Sequence, residues 1–218
     1  MQDRAEGRRD TLCGMNSARF PQLLTLTRIG SEPWKNGAGT TRVVASGTGW
    51  RISVATVSSS NAFSVFEATE RHSMLFDGGP IELRSGKEMV TLVPHMQVRY
   101  RGDLRWECEL RGKPARVLNV MCQDGLATAA IRQAESFLLP AARGPWVVMP
   151  IGCSALCSPD DGASPILAGP GQVLVLKEPG ADWMCRMTDP LPDTRSAYVL
   201  GIQIDSIARG DAEINQDR

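Results

Sequence analysis

The run Trp50-Arg51-Ile52-Ser53-Val54-Ala55-Thr56-Val57 alternates apolar and polar side chains from end to end. In an extended chain this puts Trp50, Ile52 and Val54 on one face and Arg51, Ser53 and Ala55 on the other. One face is suited to packing, the other to chemistry. Comparable short runs at 23–28, 41–45, 74–76, 81–84, 89–93, 97–100, 105–110 and 117–121 predict further strands. They are punctuated by Gly78-Gly79-Pro80, Ser85-Gly86-Lys87, Arg101-Gly102-Asp103 and Arg111-Gly112-Lys113-Pro114, the turn chemistry expected between antiparallel strands.

After Gln123-Asp124-Gly125 the pattern restarts, with runs at 128–139, 146–150, 154–157, 172–176, 184–187 and 198–204 and a Pro/Gly-rich loop at 158–171. Helical periodicity is scarce: residues 64–70 admit one turn, and 127–134 are ambiguous between helix and strand. The expected fold is all-β, two small barrels or sandwiches in tandem over 20–124 and 125–206. A polar tail, 207–218, follows. A polar head, 1–19, precedes; it lacks the apolar core of a secretory signal and is expected to be disordered, with Met15 as an alternative start.

The 24 basic and 24 acidic residues of this 218-residue chain balance. No net field draws it to nucleic acid or to an anionic membrane. Its 20 arginines, against 4 lysines, are dispersed and matched by acids. No apolar run approaches the ~18 residues of a membrane helix. A cytoplasmic protein with a small-molecule partner is the expectation, and a homodimer is compatible with it.

Chemistry-bearing motifs are few. The cysteines at 13, 108, 122, 153, 157 and 185 form no Cys-x-x-Cys pair, so buried free thiols are expected. His72 and His95 lack the His-x-His spacing that would put two imidazoles on one barrel strand, so no metal or other cofactor is expected. No nucleophile elbow occurs, and Ser58-Ser59-Ser60 reads as a turn. No catalytic residue is assigned, although His72, set beside Glu70 or Glu67, is the candidate base of an alternative reading as an isomerase or lyase. A further alternative is a protein-interaction module.

The segment Pro33-Trp34-Lys35-Asn36-Gly37-Ala38-Gly39-Thr40-Thr41-Arg42 packs an aromatic, a cation, an amide, two glycines and two hydroxyls into one loop. Its glycines allow a turn or close backbone approach, and its polar groups would be costly to bury unpaired. Gly37-Ala38-Gly39 is no dinucleotide fingerprint, because no strand-turn-helix unit surrounds it. Lys35 and Arg51 are cations suited to a carboxylate, with Arg51 capable of bidentate contact. Trp34, Asn36, Gly37, Thr40, Ser53 and Asn119 complete the candidate ligand-binding set, and Trp50 or Phe63 supplies a further apolar wall. Plainer readings stand beside these: Lys35 solvated, Asn36 holding a turn, Arg51 paired with Glu67 or Asp103, Asn119 bonded to backbone, and Arg71 paired with Asp103.

Several segments together resemble the HutD/Ves family. They are Trp34-Lys35-Asn36-Gly37-Ala38-Gly39-Thr40-Thr41, Trp50-Arg51-Ile52-Ser53-Val54-Ala55-Thr56-Val57, Phe63-Ser64-x-Phe66 followed by Arg71, Arg101-Gly102-Asp103, Leu110-x-Gly112 and Asn119-Val120-Met121. The likeness covers residues 22–124. It departs at Ala38, where a glycine is common, and at Glu67-Ala68-Thr69-Glu70, which replaces a turn containing Pro-Gly. The resemblance implies a bicupin-like fold of RmlC-like jelly-roll barrels with a ligand pocket in the first. It also implies a regulator or accessory protein of histidine utilisation, sensing an intermediate such as urocanate or a formylated glutamate.

Overall fold

A computed structural model describes residues 21–191 and 196–207. The head at 1–19 and the polar tail beyond Ile207 lie outside the described residues. In chain order the strands of the first half are β1 (Gln22–Thr25), β2 (Glu32–Pro33), β3 (Gly39–Gly47), β4 (Trp50–Val57), β5 (Asn61–Ala62), β6 (Thr69–Asp77), β7 (Ile81–Ser85), β8 (Glu88–Leu92), β9 (Gln97–Arg101), β10 (Glu107–Leu110) and β11 (Ala115–Gln123). Those of the second are β12 (Ala127–Ala134), β13 (Ser136–Leu139), β14 (Trp146–Ile151), β15 (Ser154–Pro159), β16 (Ile166–Ala168), β17 (Gln172–Leu176), β18 (Trp183–Thr188) and β19 (Tyr198–Ser206). A single 3₁₀ turn, Leu26–Arg28, is the only helical element among the described residues.

The strands form four antiparallel sheets. An inner sheet β2-β3-β4-β11-β6-β9 faces an outer sheet β5-β10-β7-β8, and a second inner sheet β1-β17-β14-β19-β12 faces a second outer sheet β13-β18-β15-β16. Alternation along β4 and β11 explains how the layers stack. Their even-numbered residues, Ile52, Val54, Leu118 and Val120, pack against Val147, Met149, Val173, Val175, Leu200 and Ile202, so the two inner sheets share one core. Fully burying each such side chain contributes about 1.5–3 kcal/mol. Odd-numbered residues face the interior of the first barrel, whose own core is built from Val57, Leu75, Ile81, Leu83, Trp106 and Val117. The third core, with Leu139, Trp146, Leu174 and Trp183, fills the second barrel.

The all-β, bicupin-like expectation describes this architecture, and β11 passes to β12 through a turn at 124–126. Four local features differ from the sequence reading. The strand β1 pairs with β17, from Gln22↔Val175 to Thr25↔Gln172, and so completes the second inner sheet although it precedes the first barrel. The expected run 128–139 is two strands, because the chain leaves one sheet for another at Glu135. Residues 64–70 form no helical turn; Glu67-Ala68 is a tight turn with Ala68 at φ 46°. The strand β6 starts at Thr69, five residues earlier than the apolar run at 74–76 suggests, because its first half, Thr69-Glu70-Arg71-His72-Ser73, is polar on both faces.

Candidate ligand pocket of the first barrel

Strand register places two rows of side chains across the barrel-facing side of the first inner sheet. One row runs Ser53, Asn119, Ser73; the next runs Arg51, Met121, Arg71, Tyr100. Ser53, Asn119, Arg51, Met121 and Arg71 form the floor of a cavity of about 440 Å³, and Ser73 and Tyr100 stand behind it. Phe63 and Phe66 arch over it, Trp34 and Thr41 close one side, and Glu32, Lys35 and Asn36 stand at the exposed rim.

The loop at 33–42 is held by a short hairpin. Gly37 donates its N–H to the Trp34 carbonyl and Trp34 donates to the Gly39 carbonyl, both at 2.9 Å, with Gly37 at φ 69°. Asn36 accepts from the Ala38 N–H at 3.1 Å and donates its amide to Asn61 at 3.3 Å, so its side chain is engaged in building the turn. Gly39 lets β3 run beneath the indole: a Cβ there would sit 2.4 Å from the Thr56 carbonyl oxygen and 3.1 Å from the Trp34 ring. The indole Nε1 donates to Thr41 Oγ1 at 2.8 Å, and the ring meets Phe63 edge-on at 5.8 Å. This fixes Trp34 as a wall with an apolar face.

Six of the eight candidate residues therefore line one cavity: Trp34, Lys35, Asn36, Arg51, Ser53 and Asn119. Two do not. Gly37 lies at the hairpin tip, shaping the loop without facing the cavity, and Thr40 points to the other face of β3, where side chains alternate, so that Thr41 lines the site in its place. Trp50, the alternative wall, belongs to the core between the inner sheets.

Arg71 is the residue the sequence reading misassigned. Asp103, its supposed partner, pairs instead with Arg101 at 2.7 Å. Arg71 is only 5% exposed, and its Nε and Nη1 have no hydrogen-bond partner. Its guanidinium carbon lies 5.4 Å from the Phe63 centroid and 5.5 Å from those of Phe66 and Tyr100, so three rings cage the cation, and among the described residues no carboxylate pairs with it. Gly102 makes room for this arrangement. A Cβ there would press on the Arg71 side chain at 3.1 Å, and the Gly102 carbonyl holds the Phe66 N–H at 2.8 Å, seating that ring over the arginine.

Arg51 stands beside Arg71 with Phe66 at 5.2 Å. Burial, and after it the charge of Arg71, pull its pKa below the ordinary arginine value, while Glu32 pulls it upward. Arg51 nonetheless stays protonated at neutral pH. The pairing of Arg51 with Glu67 or Asp103 does not form; among the described residues its side chain makes a 3.9 Å contact to the Met121 sulfur.

The cavity lining holds neither histidine nor cysteine. His72 lies on β6 as a buried residue but turns to the opposite face, where Nε2 meets Glu70 at 2.8 Å and Nδ1 meets Gln97 at 3.0 Å. The carboxylate beside it was foreseen, but the alternative reading of His72 as a base acting within the barrel loses its geometry. His95 sits on a turn and meets the Tyr198 hydroxyl at 3.0 Å. Burial pushes the thiols of Cys108 and Cys122 up to about 11, so neither is a thiolate at neutral pH. Cys153 and Cys157 share no contact of note; Cys157 faces Cys185 across β15 and β18. No cluster of three or more metal-ligating side chains occurs among the described residues.

Comparison with known proteins finds that the HutD family model aligns with residues 27–181. The chain belongs to the HutD family. Among HutD relatives, an uncharacterised 21.2 kDa protein in the hutC 3′ region of Pseudomonas putida is 30% identical over 108 residues, 46% of this chain and 57% of that protein. Protein Ves of Citrobacter koseri is 30% identical over 110 residues, 47% and 58% of the respective chains. The aligned part thus spans somewhat over half the length of these curated relatives. Among solved structures, HutD from Pseudomonas fluorescens SBW25, described under a formate condition, superposes with a TM-score of 0.69 at 20% identity, covering 87% of this chain and all of that one. A conserved protein of unknown function from Pseudomonas aeruginosa PAO1 gives 0.72 at 22%, with the same coverage. Ylba from E. coli gives 0.65 at 8%, over 91% of this chain and 97% of that one. At these identities the structures speak for the shared cupin-type fold. No helix among the described residues is long and apolar enough to cross a membrane.

Proposed function

We propose that the first barrel binds a small carboxylate metabolite on Arg71 and Arg51, and that the protein is a metal-free sensor or accessory factor in histidine or related amino-acid catabolism. The carrying observation is Arg71. A buried guanidinium with two unpartnered nitrogens is expensive to maintain, and an incoming carboxylate supplies the missing charge and acceptors in bidentate form. Asn119 and the Ser53 hydroxyl stand within the same floor, Trp34 and Phe63 offer an apolar wall, and about 440 Å³ accommodates a ligand of small-metabolite size. The neighbourhood named for the Pseudomonas putida relative and the formate condition of the Pseudomonas fluorescens structure support the pathway and the ligand class.

The test is a thermal-shift and calorimetric screen against urocanate, N-formylglutamate, succinate, glutarate and benzoate. At least one acid raises Tm, and Arg71→Ala and Arg51→Ala each abolish the shift while remaining folded. The reading falls if no acid stabilises the protein, or if Arg71→Ala binds as well as the unaltered chain.

A further inference from the structure

Behind the cavity floor lies a hydrogen-bond chain with a defined direction. The Tyr100 hydroxyl meets Ser73 Oγ at 2.9 Å, and Ser73 Oγ donates to Asn119 Oδ1 at 2.8 Å. Tyr100, Ser73 and Asn119 are 6%, 1% and 5% exposed, so no bulk water competes for these groups. A serine hydroxyl has one proton. Because Ser73 spends it on Asn119, Tyr100 must be the donor to Ser73. The reverse direction would turn the Asn119 amide around, and the Tyr100 proton would then lack an acceptor among the described residues. The guanidinium that lies over the Tyr100 ring, Arg71, offers only donors.

The direction of the chain fixes the face that Asn119 shows to the cavity. With Oδ1 committed to Ser73, the amide nitrogen is the end left for a ligand. Each floor group of fixed polarity is then a donor: Arg51, Arg71 and Asn119 Nδ2. Only the Ser53 hydroxyl can rotate to serve either role.

Resting on the carboxylate reading above, we infer that Ser73, ordered by Tyr100, is a positioning residue that locks Asn119 as a donor and so makes the floor select ionised oxyanions over isosteric neutral amides. A carboxylate presents acceptors alone and satisfies the floor, whereas a primary amide brings an NH₂ group that finds no fixed acceptor there and has only the Ser53 hydroxyl to turn to. Charge alone also favours the acid, through the arginines. The contribution of Asn119 is what changes when its orientation is released.

The experiment compares benzoate with benzamide, matched in shape, by calorimetric titration of the full chain and of Ser73→Ala, Asn119→Asp and Tyr100→Phe. In the unaltered protein benzoate is preferred. Ser73→Ala frees Asn119 to turn its oxygen to the amide, and the acid-to-amide affinity ratio falls by about tenfold, the worth of one charge-assisted hydrogen bond. Asn119→Asp keeps the Ser73 contact but places a carboxylate oxygen at the floor, and the preference reverses. Tyr100→Phe removes the proton that forces the direction, so Asn119 is free to turn and the ratio falls toward that of Ser73→Ala. Side-chain ¹⁵N resonances give a second reading: the Asn119 NH₂ pair, identified by its loss in Asn119→Asp, shifts on addition of benzoate. A ratio within about twofold of the unaltered value in folded Ser73→Ala, or an Asn119 NH₂ pair indifferent to benzoate, overturns the inference and leaves the carboxylate reading intact. Failure of benzoate and of every other acid in the panel to bind overturns both.

Discussion

Arg71 sets a conflict between stability and binding. Its charge is desolvated without a counter-ion, and three cation–π contacts offset only part of the penalty. Replacing it with a methionine of similar length removes that penalty and keeps the contact with Phe63, Phe66 and Tyr100. Arg71→Met is therefore expected to unfold in urea at an equal or higher midpoint, by up to about 2 kcal/mol, while losing acid binding. A loss of more than about 1 kcal/mol would show the guanidinium to be structurally satisfied. The same residue marks the limit of what was legible. Arg51, Ser53 and Asn119 stood out because each interrupts an apolar strand, and a polar residue in such a strand asks for a reason. Arg71 has Glu70, His72 and Ser73 around it, so burial could not be read from hydropathy. The usable signal was period-two placement: Arg71, Ser73 and Leu75 share a face, in line with buried Leu75.

At the level of elements, the site depends on the β2–β3 hairpin and on the turn after β9. The two glycines of the hairpin have different duties. Gly39→Ala would drive a Cβ into the Thr56 carbonyl and the Trp34 ring, so a loss of about 2 kcal/mol and a displaced indole are expected. Gly37→Ala meets no atom within 4 Å and carries only the left-handed backbone penalty of about 1 kcal/mol. Equal losses by chemical denaturation would refute this division. The turn after β9 is fastened by Arg101, which bonds both Asp103 and Asp124 at 2.7 Å. Those hydrogen bonds hold both carboxyls below the usual carboxylate range. Their contribution is present above the unfolded value of about 4 and disappears as pH falls through the lower folded values. Arg101→Ala should thus flatten the stability profile below about pH 4 and reduce its salt dependence; an acid limb unchanged in Arg101→Ala would place that proton uptake elsewhere. The hairpin itself was visible from Gly37 and Gly39, but the choice of Thr41 over Thr40 was not, because a single-residue difference in register reverses every face and composition carries no register.

For the molecule as a whole, the decisive feature is the core shared by the inner sheets. Ile52, Val54, Leu118 and Val120 of the first barrel are buried against Val147, Leu200 and Ile202 of the second. Neither barrel can lose its fold without exposing the partner's apolar face. Urea unfolding should therefore be one transition, with the fluorescence of Trp106 in the first barrel and Trp146 in the second, read in single-tryptophan variants, giving coincident midpoints. Midpoints separated by more than about 0.5 M would show that the barrels unfold independently. Repeated strand runs foretold two barrels, yet nothing in a one-dimensional pattern tells which of two apolar faces meets which. The membership of β1 was hidden for the same reason, since a four-residue run names no partner.

That misplaced strand has a bearing on how the protein is made. During synthesis β1 leaves the ribosome before the other described strands, and the segment it must join, β17, emerges only after the whole first barrel and most of the second. The second inner sheet is thus closed by a strand that has waited through nearly all of translation, docking much as a separate peptide would add itself to an open sheet edge. The first of the described strands to be synthesised is among the last to find its place.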